Sequence, residues 1–208
     1  MSLISSPYAR SHRLASLAER IGDAVNAPRL LVLTDPVRTP DPYVLASRLP
    51  AGSALVYRHF GVADRYETAG GLAQLCHERG AYLLVSSDLE LADRIGADGV
   101  HWPERFYAQA AQARARSYTS WFTAAAHSAP ALQKAAALGM DAALLSPIFA
   151  SNSPSAGSAI GALRARLLIR QSALPVYLLG GIRDETMRRI TNSGAAGFAM
   201  VEAFNETV

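Results

Sequence analysis

Cysteine and lysine are almost absent from this 208-residue chain: Cys76 and Lys134 are the single representatives of their types. One thiol closes no internal disulfide and builds no cysteine-rich metal site. Cys76 lies in a helical pattern, GGLAQLCHERG, and reads as a small buried hydrophobe. Lys134 belongs to the helical run APALQKAAALG, whereas Schiff-base barrel chemistry needs a lysine pointing inward from a strand, so that chemistry is excluded. No apolar run reaches the roughly 18 residues of a membrane span. The first 22 residues are amphipathic and arginine-bearing, with no apolar core before a small-residue cleavage site, so a cytoplasmic rather than a secreted protein is expected. Strong charge of either sign is missing too. The formal net charge is +3, and basic stretches such as RARLLIR read as solvated helix faces. Without aromatic–basic interleaving, neither a nucleic-acid surface nor a membrane partner is expected.

Apolar residues, by contrast, make up 50% of the chain, enough for one sizeable core. They are grouped into eight short runs: Arg29–Asp35, Ser53–His59, Ala81–Ser87, Gly99–Pro103, Trp121–His127, Ala142–Phe149, Val176–Gly180 and Gly197–Glu202. Helical patterns fall between them, at Asp41–Leu49, Tyr66–Arg79, Leu89–Ile95, Ala108–Arg116, Ala129–Leu138, Ile160–Gln171 and Asp184–Asn192. Such alternation predicts a parallel sheet closed into a (β/α)8 TIM barrel. A doubly wound open sheet is the alternative, but no GxGxxG follows the first run. Residues 1–26 are expected to form a helical extension, and residues 27–208 a single barrel domain.

Barrels carry their chemistry at the C-terminal ends of the strands. The stretch Pro175–Phe204 combines a strand, a Gly-Gly turn, an amphipathic helix, a second Gly-rich turn and another strand. That pattern is the sequence form of a phosphate cup, in which backbone N–H groups after strands 7 and 8 are the ligands. Gly180, Gly181, Val201 and Glu202 are its candidates, with the hydroxyl-rich Ser151, Asn152 and Ser153 after strand 6. Glu202 suits the cup only if its carboxylate turns outward. The other strand ends supply Asp35, Arg58, His59, Ser86, Ser87, His101, Trp102, Glu104 and His127. Arg58 is a candidate anion ligand through its bidentate fork, against an internal ion pair with Asp35 or Glu104. Trp102, with Phe106 and Tyr107, is expected to wall the pocket against an aromatic ring.

LLVLTDP, SSDLELADRIGADGVH, SPIFASNSP, VYLLGGI and SGAAGFAMVEAF together resemble the thiamine phosphate synthase and thiazole tautomerase (TenI-type) superfamily over residues 29–204. The resemblance implies a barrel that binds thiazole phosphate or thiamine phosphate. It also implies, for a synthase, magnesium and basic side chains that stabilise a departing pyrophosphate. Several of those positions are altered here. The family's Gln-x-Arg-x-Lys falls on Val56, Arg58 and Phe60, and its Asn-Asp metal site on Ser86 and Ser87. The second magnesium carboxylate falls on Phe106, and the lysine of the loop after strand 6 on Pro154. Magnesium is therefore not expected, and no metal site is assigned. Loss of one such stabiliser typically costs about 10²–10³ in rate, so loss of the set disfavours conventional synthase chemistry.

A tautomerase needs no metal but does need an acid/base group. The histidine the family carries in strand 6 falls on Pro147, leaving His59, His101 and His127 as candidates. Each has a plainer alternative: His59 as a solvated loop residue, His127 as a cap on the next helix, and His101 as part of a stretch common to the family. Three readings stay open: a remodelled enzyme of thiamine metabolism, a non-catalytic binder of the same phosphate esters, and a phosphate-ester isomerase outside that metabolism. A homo-oligomer is compatible with all three.

Overall fold

The computed structural model describes residues 27–116, 120–151 and 157–201. The expected helical extension over residues 1–26 lies outside them. Eight strands form a closed parallel barrel in chain order: β1 (Leu30–Leu33), β2 (Ala54–Tyr57), β3 (Tyr82–Ser86), β4 (Gly99–Trp102), β5 (Trp121–Ala126), β6 (Ala142–Leu145), β7 (Val176–Leu179) and β8 (Gly197–Met200). β8 pairs with β1 through Leu31 opposite Ala199 and closes the ring. The connecting helices are α1 (Pro42–Ser47), α2 (Arg65–Glu78), α3 (Leu89–Ile95), α4 (Tyr107–Arg114), α5 (Ala129–Ala137), α6 (Ala162–Gln171) and α7 (Asp184–Met187).

The strands read as continuous apolar runs because both their faces are buried. Alternation sorts each run into two cores. Leu31, Leu33, Val56, Leu84, Leu144 and Tyr177 fill the barrel interior. Their strand neighbours, among them Val32, Leu55, Val85 and Phe198, pack outward against the helices. At the N-terminal end the interior is plugged by Trp121 and Tyr177, whose rings meet edge-on at 6.2 Å. The buried Tyr177 hydroxyl donates to Pro28 O at 2.6 Å, tying the chain that enters β1 to the centre of the barrel.

Side-chain caps start α1, α3 and α5. Asp41 accepts from Tyr43 N, Asp88 from Leu91 N and Ser128 from Ala131 N. Two aspartates lace the opposite end: Asp98 accepts from Leu83 N at 2.8 Å, and Asp141 from Phe122 N at 2.7 Å. The helix expected over Asp184–Asn192 is shorter in the structure and stops at Met187. Beyond it, Ile190 N donates to Met187 O and Ser193 N to Ile190 O, i→i+3 bonds that tighten the run into turns.

Candidate functional site

The C-terminal mouth of the barrel holds a contiguous polar row. Asp35, Arg58 and Ser86 each lie two residues beyond an interior leucine or valine (Leu33, Val56 and Leu84), so alternation turns them inward. Ser86 stands opposite His101 in the β3–β4 register, and His101 opposite Thr123 in the β4–β5 register. The row therefore runs Asp35, Arg58, Ser86, His101, Thr123 across five adjacent strands. His101 Nδ1 lies 2.9 Å from Thr123 Oγ1. The Ser86 hydroxyl is fully buried and meets no protein partner among the described residues.

Charge in this row is concentrated at β1 and β2. Arg58 Nε donates to Thr34 O at 2.8 Å, and its Nη2 lies 3.6 Å from Asp35 Oδ2. That carboxylate also receives Arg38 Nη2 at 2.8 Å. The acid beside Arg58 is thus Asp35; Glu104 begins a 3-10 turn, Glu104–Phe106, and is half-buried there. Burial works against ionisation of Asp35, but hydrogen bonds from the Arg38 side chain and from the Arg38 and Val37 amides hold its carboxyl down to about 2. Burial, reinforced by the Arg58 charge, pushes the His101 imidazole down to about 3. His101 is consequently a neutral hydrogen-bonding group at physiological pH, and a weak proton acceptor.

Across the mouth, His127 is exposed and points its Nδ1 at Ser146, 2.8 Å from the carbonyl and 3.3 Å from the hydroxyl. It does not cap α5; Ser128 does. The Gly180–Gly181 turn has positive φ at both residues, +100° and +63°. A Cβ at Gly181 would come within 2.4 Å of Ala150 O, so the close approach that demands glycine is to the β6–α6 loop. That loop donates Ile148 N to Leu179 O and Phe149 N to Gly180 O, both at 3.0 Å. The amides of Gly180 and Gly181 donate to no backbone carbonyl among the described residues. Four-residue α7 behind the turn is too short to add a substantial dipole. Val201 and Ser151 are half-buried at the rim; Asn152, Ser153 and Glu202 lie outside the described residues.

Two expectations need correction. Trp102 does not wall the mouth: it has the outward parity of β4, is buried against the helices, and its ring lies 6.1 Å from that of Phe122. Tyr107 is likewise core, with its hydroxyl donating to Ala125 O at 2.6 Å. His59 is not a solvated loop residue, since it is buried beside Tyr57 at 5.3 Å between ring centroids, with Nε2 unpartnered among the described residues. Burial lowers its pKa. Arg38 and Thr123 take part in the site's contacts without having been singled out from sequence.

At the β3 end, where the resemblance places the family's magnesium ligands, the side chains are poor magnesium donors. Mg²⁺ takes oxygen ligands in octahedral geometry, anchored by carboxylates. Ser86 and Ser87 offer only neutral hydroxyls. The adjoining Asp88 is committed to its helix cap and to Arg65 at 2.7 Å. Among the described residues no group of three or more His, Cys, Asp or Glu side chains is arranged to hold a metal ion.

A closed (β/α)8 barrel with a buried polar row, two arginines and a Gly-Gly turn at its C-terminal end has the frame on which such barrels carry their functional sites. The thiamine monophosphate synthase family model matches residues 34–204, and the chain belongs to that family. A thiamine-phosphate synthase of Thiobacillus denitrificans is 34% identical over 175 residues, covering 79% of this chain and 82% of the relative. One from Synechococcus is 29% identical over 182 residues, covering 84% of this chain. The chain spans about half the length of that relative, 52%. Among solved structures, a thiamine phosphate pyrophosphorylase from Pyrococcus furiosus superposes with a TM-score of 0.74 at 23% identity, over 87% of this chain and 90% of the other, a likeness of fold.

Proposed function

We propose that the chain binds a phosphate ester of thiamine metabolism, thiazole phosphate or thiamine phosphate, in the barrel mouth, without the magnesium–pyrophosphate site of a conventional synthase. The observation that carries this reading is the inward polar row from Asp35 to Thr123, with Arg58 at its basic end and, across the mouth, two glycine amides that meet no backbone acceptor among the described residues. An oxyanion accepts from both kinds of donor, and Ser86, His101 and Thr123 offer neutral hydrogen-bonding groups to the heterocycle of such a ligand. Residues 27–208 act as one barrel domain in this reading, and the protein works in the cytoplasm.

Two further readings differ in what the bound ester undergoes. The non-catalytic binder is favoured by His101, whose imidazole at about 3 is poorly matched to proton transfer near neutrality. A remodelled tautomerase or an isomerase of another phosphate ester is favoured by exposed His127, which has solvent access and a fixed orientation on Ser146. The discriminating experiment supplies the purified protein with pyrimidine pyrophosphate, thiazole phosphate and magnesium, and follows thiamine phosphate by chromatography. The expected result is no product above background while thiazole phosphate binds and its dephosphorylated alcohol does not. Steady condensation, or equal binding of ester and alcohol, would overturn the reading.

A further inference from the structure

The apolar side chains left exposed on the outside of the barrel fall into two groups on opposite sides, and the two sides differ in charge. We infer that the α1–α2 side of one copy docks on the α6 side of a second copy, so that the chain associates with itself head to tail. Tyr43 and Val44 of α1, Phe60 and Val62 of the β2–α2 loop and Tyr66 of α2 are exposed on the first side, and Leu163 and Leu167 of α6 on the second. Among the described residues only Val37 and Tyr82 are comparably exposed outside these groups. α2 follows β2 and α6 follows β6, halfway round the closed barrel, so the two groups face away from each other. Single exposed apolar residues need no partner, but a cluster of aromatic and aliphatic side chains marks an interaction surface.

The α1–α2 side is acidic. Burial, and then the carboxylates of Glu67, Asp64 and Asp41, raise the pKa of Tyr43, so all three acids lie within electrostatic reach of its hydroxyl. None of the three is paired with a cation among the described residues. Cations at the border are engaged elsewhere: Arg65 pairs with Asp88 at 2.7 Å, and Arg94 lies over the Tyr66 ring at 5.0 Å. Tyr43 is also held in place. Its hydroxyl donates to Thr68 O at 3.3 Å, and its ring lies across α2 because Gly71 has no Cβ to meet it.

The α6 side is basic. Residues 157–201 hold six arginines against two acids, Asp184 and Glu185. Beside Leu163 a recess of about 450 Å³ is lined by Arg164, Arg166 and Arg189 together with Ile160. Arg166 Nη2 donates to Thr191 O at 3.0 Å, and the Arg189 guanidinium lies 5.0 Å from the centre of the Phe149 ring. No acid pairs with any of these three arginines among the described residues. Leu163 is 79% exposed and Leu167 58%, one turn apart on the same stripe of the helix. Tyrosines bordered by carboxylates complement such a recess, since the rings take the guanidinium faces and the acids supply the counter-charge. A two-fold contact of either side with itself would set acid against acid or arginine against arginine. The unlike sides avoid that repulsion, and because they are opposite, the contact repeats from copy to copy.

The test is sedimentation velocity of the full chain over a series of protein concentrations, at low and at high salt. The unmodified protein is expected to grow in mass with concentration beyond two copies at low salt, and to dissociate at high salt. Arg164→Glu on one side and Glu67→Arg on the other are each expected to weaken association about tenfold or more. Both are surface changes, so both variants should melt within a few degrees of the parent. Mixing the two variants is expected to restore association, because each supplies the charge that the other's altered side now needs. A protein that stays monomeric at low salt would overturn the inference, whether its two sides are bare or covered by this chain's own residues 1–26. So would an assembly indifferent to both substitutions. Growth that stops at two copies, with the mixture no better than either variant alone, would replace the head-to-tail contact by a two-fold one and overturn it as well.

Discussion

His101 ends β4 inside the barrel, and its environment makes it a fixed neutral group. Its imidazole falls from the ordinary 6.5 to about 3 through burial and the Arg58 charge. The unfolded chain takes up a proton at this residue near 6.5, whereas the folded protein resists it until about 3. His101 therefore contributes stability that is fully present above 6.5 and is lost progressively as pH falls toward 3. Asp35 adds a more acidic window, from 3.8 down to about 2, of the same sign. Thermal melting of the unmodified protein and of His101→Gln between pH 7 and 4 should show a smaller acid decline in the variant. Parallel curves would mean that His101 is solvated or charged in the fold. At this scale the sequence was informative about residues with distinctive chemistry at strand ends. It was less so where a side chain's role depends on a turn, as with Arg38, or on facing a histidine one strand away, as with Thr123 inside WFTAAAH.

The β7 turn and the β6–α6 loop behave as one element. Gly181 has φ +63°, and any Cβ there would press on Ala150 O and Phe149. Gly181→Ala should cost about 2 kcal/mol or more, combining left-handed backbone strain with the clash. Denaturant titration measures the cost, and hydrogen exchange should show faster exchange at Ile148 and Phe149, whose amides bond across to the turn. An effect confined to stability, with those amides still protected, would separate backbone strain from loop packing. The glycine pair was legible in the sequence as a cup, yet half of its demand for glycine comes from a neighbouring loop that only the fold brings there. The Leu89–His101 block that carries much of the family resemblance is explained at the same scale. Gly96 adopts the left-handed conformation that ends α3. Asp98 then bonds Leu83 N across the barrel floor, so much of the block's wording is architecture. Strand alternation was readable as a pattern but its phase was not, and this is why Trp102 was expected in the mouth and is found among the helices.

Over the whole molecule, closure of the barrel joins residues remote in sequence. Tyr177 Oη reaches Pro28 O at 2.6 Å and so couples β7 to the entry of β1. Tyr177→Phe removes that donor from a buried carbonyl and should lower unfolding stability by about 1–3 kcal/mol, measured by chemical denaturation. No loss would imply that the carbonyl finds another donor. The eight strands and their order were legible because the runs are doubly buried and helical patterns separate them. Arg38 and Arg58 share Asp35 at the β1–β2 corner of the mouth, and Ser86 and Ser87 stand at the end of β3, where the resemblance would place the family's metal ligands. Binding of thiazole phosphate in the presence of chelator, compared by calorimetry with binding in magnesium, bears most directly on this picture. Equal affinity in both buffers is the predicted result. Binding that appears only with magnesium would contradict it and restore a conventional synthase site.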